Sequence, residues 1–191
     1  MKNAKARDYT KAELSSLPAQ TKLIPSGCNM VIKWLFFACL VSLLLRATPL
    51  RAQPGKEIAP QERCPVCGMF VAKYPDWITQ VRLTNGTLKS FDGAKDMLAF
   101  FFAPAVFGAP GQAVKEIWVK DYYTLAWLDG RLAWYVVGSD VYGPMGHEFI
   151  PFASAAAAES FRKDHKGTRV MRFAEITEPL VQSLRHGQKM R

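Results

Sequence analysis

Residues 78–91 read ITQVRLTNGTLKSF and carry signals for a hairpin. Its first part, residues 78–83, alternates apolar and polar side chains, which is typical of a half-buried strand. The pair Asn85-Gly86 favours a two-residue hairpin turn, because both residues tolerate positive φ. We therefore predict that the chain returns in a second strand, residues 88–91, and that the two strands form a hairpin.

A helix is predicted directly after this hairpin. Residues 94–102 are mostly apolar and recur at helical spacing, while Asp92 is suited to cap the first turn. Pro104 ends the helix, because proline cannot continue it. A third strand, residues 116–119, follows a loop at residues 105–113 and completes a ββαβ unit.

The second half of the chain repeats this order of elements. Three positions of the first unit recur at the same spacing in the second: Phe91, Ala94 and Phe100 match Phe152, Ala155 and Phe161. The predicted elements are strands at residues 122–127, 133–137 and 149–152, a helix at 155–163 capped by Ser154, and a strand at 169–173. We predict an α+β fold of two small ββαβ-type units packed side by side.

The net charge of +9 is concentrated in the first part of the chain. Residues 1–52 hold eight Lys/Arg and two Asp/Glu, whereas residues 53–191 hold 17 and 14. The later part carries no basic helix or arginine-rich stripe of the kind that binds nucleic acid. We therefore expect no nucleic-acid partner.

Residues 34–45 form an almost wholly apolar run, preceded by Lys33 and followed by Arg46. The run is shorter than the roughly 20 residues of a membrane span and matches the core of a secretory signal. We predict residues 1–52 as a leader with a signal peptide, with Met30 as an alternative start. An uncleaved leader that associates with the membrane is the competing interpretation. Residues 53–63 are predicted as a flexible tether, 64–177 as the folded domain and 178–191 as a basic tail.

Removal of the leader leaves two cysteines, Cys64 and Cys67, in a C-x-x-C loop followed by Met69. Two thiols at this spacing can bind one metal ion or close a disulfide. With a thioether they form a soft donor set, which favours Cu(I) over harder ions. Met145 is a candidate distant ligand, because the glycines and proline around it exclude a helix and let the backbone approach a partner. Met69 and His147 are further candidates.

Three other chemistries compete for the C-x-x-C loop. Structural zinc needs four ligands, and the chain has no second cysteine pair and only scattered histidines. A thioredoxin-like enzyme needs the pair at the start of a helix that follows a strand, whereas residues 70–72 are predicted as strand. A structural disulfide here would close too little chain to stabilise the domain much. A periplasmic thiol-disulfide oxidoreductase that uses Cys64 and Cys67 is the alternative to copper binding.

The chain resembles the NosL family, accessory proteins of nitrous oxide reductase maturation. The resemblance covers about residues 64–176 and rests on these segments: Cys67-Gly68-Met69, Phe91 with the helix after it, residues 133–138, Met145-Gly146 with Pro151-Phe152-Ala153, the alanine-rich helix to Phe161, and residues 167–173. It implies a fold of two small ββαβ-type units, in agreement with the internal repeat.

The resemblance also implies a function. It implies an exported copper metallochaperone rather than an enzyme, located in the periplasm or on the outer face of the membrane. Cys67 and Met145 are implied to bind Cu(I), and Cys64 occupies the place of a third ligand three positions before Cys67. The implied partners are a copper-receiving client, namely nitrous oxide reductase of denitrification or a related copper enzyme, and membrane assembly proteins.

Overall fold

The computed structural model describes residues 57–187. The predicted leader, residues 1–52, lies outside the described residues, as do residues 53–56 of the predicted tether and residues 188–191 of the predicted tail. Within residues 57–187, no helix is long and apolar enough to span a membrane.

The described residues form two antiparallel sheets and three α-helices. In chain order the elements are β1 (Thr79–Leu83), β2 (Leu88–Phe91), α1 (Ala94–Phe102), β3 (Val114–Lys120), β4 (Trp127–Asp129), β5 (Trp134–Val137), β6 (Ile150–Phe152), α2 (Ala155–Asp164), β7 (Arg169–Arg172) and α3 (Glu178–Arg185). Short 3-10 helices lie at Val71–Lys73, Pro104–Phe107 and Phe173–Glu175.

Each sheet contains a ββαβ unit of the same topology. The first sheet has the strand order β2-β1-β3-β4, and the second has the order β6-β5-β7. In both, the first strand of the hairpin is central, and the chain returns through a helix to pair antiparallel on the other side of that strand. Strand β4 extends the first sheet at its edge. The predicted α+β fold of two ββαβ-type units is therefore confirmed.

The internal repeat marks equivalent core positions of the two units. Phe91 and Phe152 end β2 and β6, while Phe100 and Phe161 lie at equivalent positions in α1 and α2. All four side chains are fully buried. The rings contact each other within each unit, with centroids 5.3 Å apart in the first and 4.9 Å apart in the second. The same strand-to-helix contact therefore holds each helix on its own sheet.

The second sheet separates two hydrophobic clusters. Tyr135 and Val137 of β5 belong to the larger cluster, which contains the core of the first unit. Val136, between them, packs with Phe161 of α2 in the smaller cluster. Successive side chains of a strand point to opposite faces of the sheet. One face therefore packs on α2 and the other on the first unit, which places the two units side by side.

Helix α3 packs against α1. Its apolar residues Val181 and Leu184 are buried in the larger cluster. Because α3 covers α1 in addition to strands β1 and β2, residues 94–100 are all buried. In contrast, α2 buries only Ala158 and Phe161. The segment predicted as a basic tail thus begins with a helix that contributes to the core.

Two strand predictions are wrong. Residues 122–126 contain a turn, because the buried carboxylate of Asp121 accepts hydrogen bonds from the N–H groups of Tyr123 and Thr124 at 3.1 and 2.9 Å. A side-chain acceptor of this kind competes with strand pairing for the backbone. Residues 71–73 form a 3-10 helix instead of a strand, and the N–H of Tyr74 donates to the carbonyl of Val71 at 3.1 Å.

Of the two predicted helix caps, Ser154 is confirmed and Asp92 is not. The Oγ of Ser154 accepts a hydrogen bond from the N–H of Ala157 at 3.2 Å, so the cap of α2 is confirmed. The predicted cap of α1 is wrong: Gly93 occupies the N-cap position, and no side chain of the cap residue bonds the helix. The carboxylate of Asp92 contacts a cysteine instead.

Candidate metal centre

The C-x-x-C segment folds into a tight loop. The N–H of Cys64 donates to the carbonyl of Met69, and the N–H of Gly68 donates to the carbonyl of Cys64, both at 2.9 Å. Gly68 has φ +78°, a left-handed conformation that glycine adopts without steric strain. The loop brings the two Sγ atoms within 4.8 Å of each other. Neither Cys64 nor Cys67 forms a disulfide.

The start of α1 brings two carboxylates to these thiols. Asp92 directly precedes Gly93, the N-cap residue of α1, and Asp96 lies in the first turn of that helix. The thiol of Cys67 donates to Oδ1 of Asp92 at 3.2 Å, and the Sγ of Cys64 lies 3.7 Å from Oδ2 of Asp96. One ligand atom from each residue lies within 4.8 Å of the others. We call these four residues the Cys–Asp cluster.

The Cys–Asp cluster is shielded from solvent. Cys64, Asp92 and Asp96 are buried, and Cys67 is half-buried. Burial raises the pKa of Asp96, and the nearby charge of Asp92 raises it further. The pKa of the Cys67 thiol is raised chiefly by its hydrogen bond with Cys64 and then by burial. Without a cation, Asp96 and Cys67 therefore favour their protonated forms, because burial and these neighbours disfavour the charged forms.

Asp92 has one oxygen whose hydrogen-bonding capacity is unused. Its Oδ2 is buried, and no described residue donates a hydrogen bond to it. A buried polar atom without a partner costs roughly 1–3 kcal/mol, so such atoms are uncommon in folded proteins. A bound cation would compensate this oxygen, and the two sulfurs beside it suit a soft metal ion such as copper. The residues present therefore fit a metal site.

Met145 lies in a tight turn beside the start of α1. Gly143 and Gly146 exchange backbone hydrogen bonds at 2.9 and 3.2 Å around it, which confirms that this stretch is not helical. The ammonium of Lys95 donates to the carbonyl of Met145 at 2.6 Å. This bond holds the turn against the first turn of α1, where Lys95 directly precedes Asp96. The side chain of Met145 is 48% exposed.

Glu148 ties the same turn to α1. Its Oε1 accepts hydrogen bonds from the N–H of Lys95 and, at 2.9 Å, from the N–H of Phe149. Burial raises the pKa of Glu148 to about 8. A Cβ at Gly93 would collide with Oε2 of Glu148. Because Gly93 has no side chain, Glu148 can approach and bond an N–H that the first turn of a helix cannot pair internally.

The further ligand candidates, His147 and Met69, differ in their surroundings. The Nδ1 of His147 is buried, and no described residue bonds it. Its ring centroid lies 4.9 Å from that of Tyr142. Met69 is half-buried, and its carbonyl closes the cysteine loop. Ligand roles for Met69, Met145 and His147 stay predictions.

The structure brings Cys64 and Cys67 together and adds two acidic residues that the sequence analysis does not assign to the site. From the sequence, Asp92 is predicted as a helix cap, and Asp96 has no predicted role. The signal for both is a pair of acidic residues four apart at the start of a largely apolar helix. Charged side chains are rarely buried in such a helix without a partner.

Comparison with known proteins assigns the family. The family model of NosL matches residues 55–181. This chain belongs to the NosL family. The copper-binding lipoprotein NosL of Stutzerimonas stutzeri is 30% identical over 137 residues, which cover 66% of this chain and 69% of that protein. The resemblance read from the sequence is thereby confirmed.

A solved NosL structure shares the fold of this chain. The crystal structure of the copper chaperone NosL from Shewanella denitrificans is 28% identical and matches with a TM-score of 0.58, covering 67% of this chain and 98% of that one. The solution structure of apo-NosL from Achromobacter cycloclastes is 27% identical with a TM-score of 0.43, covering 54% and 87%.

Proposed function

We propose that this NosL protein is an exported metallochaperone that binds Cu(I) and delivers it to the copper centres of nitrous oxide reductase or a related enzyme. The observation that carries the proposal is the Cys–Asp cluster, in which two thiols and two carboxylates meet. The copper-binding lipoprotein of S. stutzeri and the copper chaperone of S. denitrificans support the same class of cargo.

The proposed ligands are the sulfur atoms of Cys64, Cys67 and Met145. Thiolate and thioether donors prefer Cu(I), and this ion accepts two or three ligands. The turn that holds Met145 is bonded to Lys95 of α1, the residue that directly precedes Asp96. Asp92 and Asp96 accept hydrogen bonds from the thiols before copper arrives and so hold the sulfurs in place.

The exposure of the proposed ligands is uneven, which suits transfer by ligand exchange. Cys64 is 2% exposed, whereas Met145 is 48% exposed. A thiolate or imidazole of the client would displace the exposed thioether first and the buried thiolate last. Copper binding releases the thiol protons. Their return assists release, because the raised pKa of Cys67 favours the protonated thiol once the ion has left.

The proposal places the protein in the periplasm or on the outer face of the membrane. Residues 1–52 have the pattern of a leader, and the S. stutzeri relative is named a lipoprotein. The proposed partners are the copper-receiving client and membrane assembly proteins. Carrying an ion between proteins requires no catalytic turnover, so the proposed protein is a carrier rather than an enzyme.

The electrostatics of the Cys–Asp cluster disfavour the alternative thiol-disulfide oxidoreductase. Such enzymes lower the pKa of the attacking thiol with a helix start or a positive charge. Here the pKa of Cys67 is raised, and two carboxylates surround the pair. Turnover of a disulfide substrate by Cys64 and Cys67, with a reduction potential in the range of known oxidoreductases, would reverse this preference.

Copper transfer to the client tests the proposal. The Cu(I)-loaded full-length protein is mixed with copper-free nitrous oxide reductase, the two are separated by size, and copper is measured in each. We expect copper to move to the reductase. The Cys28→Ser/Cys39→Ser variant, which removes the other two thiols of the chain, is the matched control and should transfer equally well. Copper that stays with the carrier, while a Cu(I)–chelator complex loads the same reductase, would contradict delivery.

A further inference from the structure

Helix α3 ends at Arg185, which reaches towards the metal centre from outside the two ββαβ units. Val181 and Leu184 anchor the helix in the larger hydrophobic cluster. The guanidinium of Arg185 lies 5.6 Å over the ring of Phe107, and its Nη1 donates to Oε1 of Gln182 at 3.1 Å. These contacts fix the direction of a long side chain that is only 27% exposed.

Asp96 connects Arg185 with a cysteine. Its Oδ1 lies 3.7 Å from Nε of Arg185, and its Oδ2 lies 3.7 Å from Sγ of Cys64. The side chain of Asp96 is 6% exposed, so these neighbours rather than water determine its orientation. One carboxylate thus spans from the C-terminal helix to the C-x-x-C loop.

The charge of the copper-loaded site explains why a cation beside Asp96 would matter. Two thiolates and two carboxylates around one monovalent ion carry a negative surplus, which is costly in a buried site unless a cation lies near. Lys95, whose ammonium donates to the carbonyl of Met145, supplies one positive charge near Asp96. Arg185 forms an ion pair with a member of the cluster and places a positive charge against its buried side.

We propose that Arg185 is a positioning residue of the metal centre: it holds Asp96 against Cys64 and thereby strengthens copper binding. This inference rests on the proposed Cu(I)-binding function. Arg185 lies beyond residue 181, the last residue that the NosL family model matches. The last turn of α3, which carries Arg185, therefore extends beyond the matched part of the chain.

The first test is Cu(I) affinity of the full-length protein, measured by competition with a chelator. Outer-shell residues typically change metal affinity by about 10- to 100-fold. We expect Arg185→Gln to weaken binding by on the order of tenfold, and Arg185→Lys to recover part of the loss. In an Asp96→Asn background, Arg185→Gln should cause no further loss, because the charge pair is already broken. Arg162→Gln, which breaks an ion pair with Glu159 on α2, is the matched control and should change nothing.

A purely structural role predicts a different pattern. Arg185→Gln would then lower the melting temperature of the metal-free protein and leave the Cu(I) affinity of the folded protein unchanged, which would overturn the proposal. An equal loss of affinity in the Asp96→Asn background would also overturn it.

Crystal structures of the metal-free wild type and Arg185→Gln separate this inference from the proposed function. We expect Oδ2 of Asp96 to leave Sγ of Cys64 in the variant; an unmoved Asp96 overturns the positioning role. Failure of the wild type to bind Cu(I) would instead overturn the proposed function and, with it, the copper part of this inference, while the Asp96 position still decides the geometric part.

Discussion

The Sγ of Cys67 lies 3.2 Å from Oδ1 of Asp92, across 25 residues of sequence. This contact joins the C-x-x-C loop to the start of α1, the helix on which the first unit is built. The metal centre is therefore not a separate loop attached to the domain. Changes at the start of α1 should be measurable as changes in metal affinity.

Asp92→Asn tests whether the carboxylate matters to the metal. We expect Cu(I) affinity to fall by about tenfold, because the variant removes a charge beside Cys67 and replaces one carboxylate oxygen with an amide nitrogen that cannot bind a cation. The measurement is chelator competition, with circular dichroism to check the fold. The exposed Asp76→Asn variant is the control and should bind like the wild type. Equal affinity of Asp92→Asn and the wild type would remove Asp92 from the site.

The Met145→Leu variant tests whether the side chain of Met145 binds the metal or only packs against the protein. We expect weaker Cu(I) binding with an unchanged melting temperature, because the side chain is 48% exposed and contributes little to the core. Met171→Leu is the matched control: Met171 is fully buried, so this variant should lower the melting temperature without changing Cu(I) affinity. If Met145→Leu changes the fold and not the affinity, Met145 is a packing residue.

The raised pKa of Glu148 predicts that stability falls as pH rises. Its pKa is about 8 in the folded protein against an ordinary value of 4.5. Between these values the folded state keeps a proton that the unfolded state releases, so the free energy of unfolding decreases from pH 4.5 to pH 8. The effect is on the order of a few kcal/mol. Urea unfolding of the metal-free protein across this range measures it.

Glu148→Gln tests whether the titration of Glu148 causes that pH dependence. The amide oxygen can still accept from the N–H of Lys95, but the side chain no longer titrates, so the slope of stability against pH should flatten. Glu159→Gln, at an exposed position of α2, is the control and should keep the wild-type slope. A slope that persists in Glu148→Gln would show that another group dominates.

Gly93→Ala tests the close approach of Glu148 to α1. The added Cβ would collide with Oε2 of Glu148, so we expect the free energy of unfolding to fall by about 1–3 kcal/mol. The cost should shrink in a Glu148→Ala background, where the colliding atoms are absent. Thermal unfolding of the single and double variants measures both values. If Gly93→Ala lowers the free energy of unfolding equally in both backgrounds, the loss arises from the backbone conformation at residue 93 and not from the collision with Glu148.

The sequence predicts the elements that local signals determine. Strands β1 and β2 follow from alternation around Asn85-Gly86, and α2 follows from its Ser154 cap, because each signal lies within a few residues of the structure it specifies. The strand predicted at residues 122–127 fails because the carboxylate of Asp121 bonds the backbone after it. Apolar content alone does not reveal this competition.

The metal centre is predictable only in part, because half of the Cys–Asp cluster depends on tertiary contacts. Cys64 and Cys67 stand out by their spacing, whereas Asp92 has the same appearance as an ordinary helix cap. Only the packing of the cysteine loop on α1 shows that its carboxylate accepts from a thiol. The role of Arg185 is harder still to predict, because its contact with Asp96 bridges the rest of the first unit and the whole of the second.

Cu(I) titration of the reduced full-length protein against a competing chelator measures whether the Cys–Asp cluster binds copper. We predict one tightly bound Cu(I) per chain in the wild type and in Cys28→Ser/Cys39→Ser, and loss or strong weakening of binding in Cys67→Ser. No binding by the reduced wild type, or an unchanged affinity in Cys67→Ser, would contradict the claim that the Cys–Asp cluster holds copper.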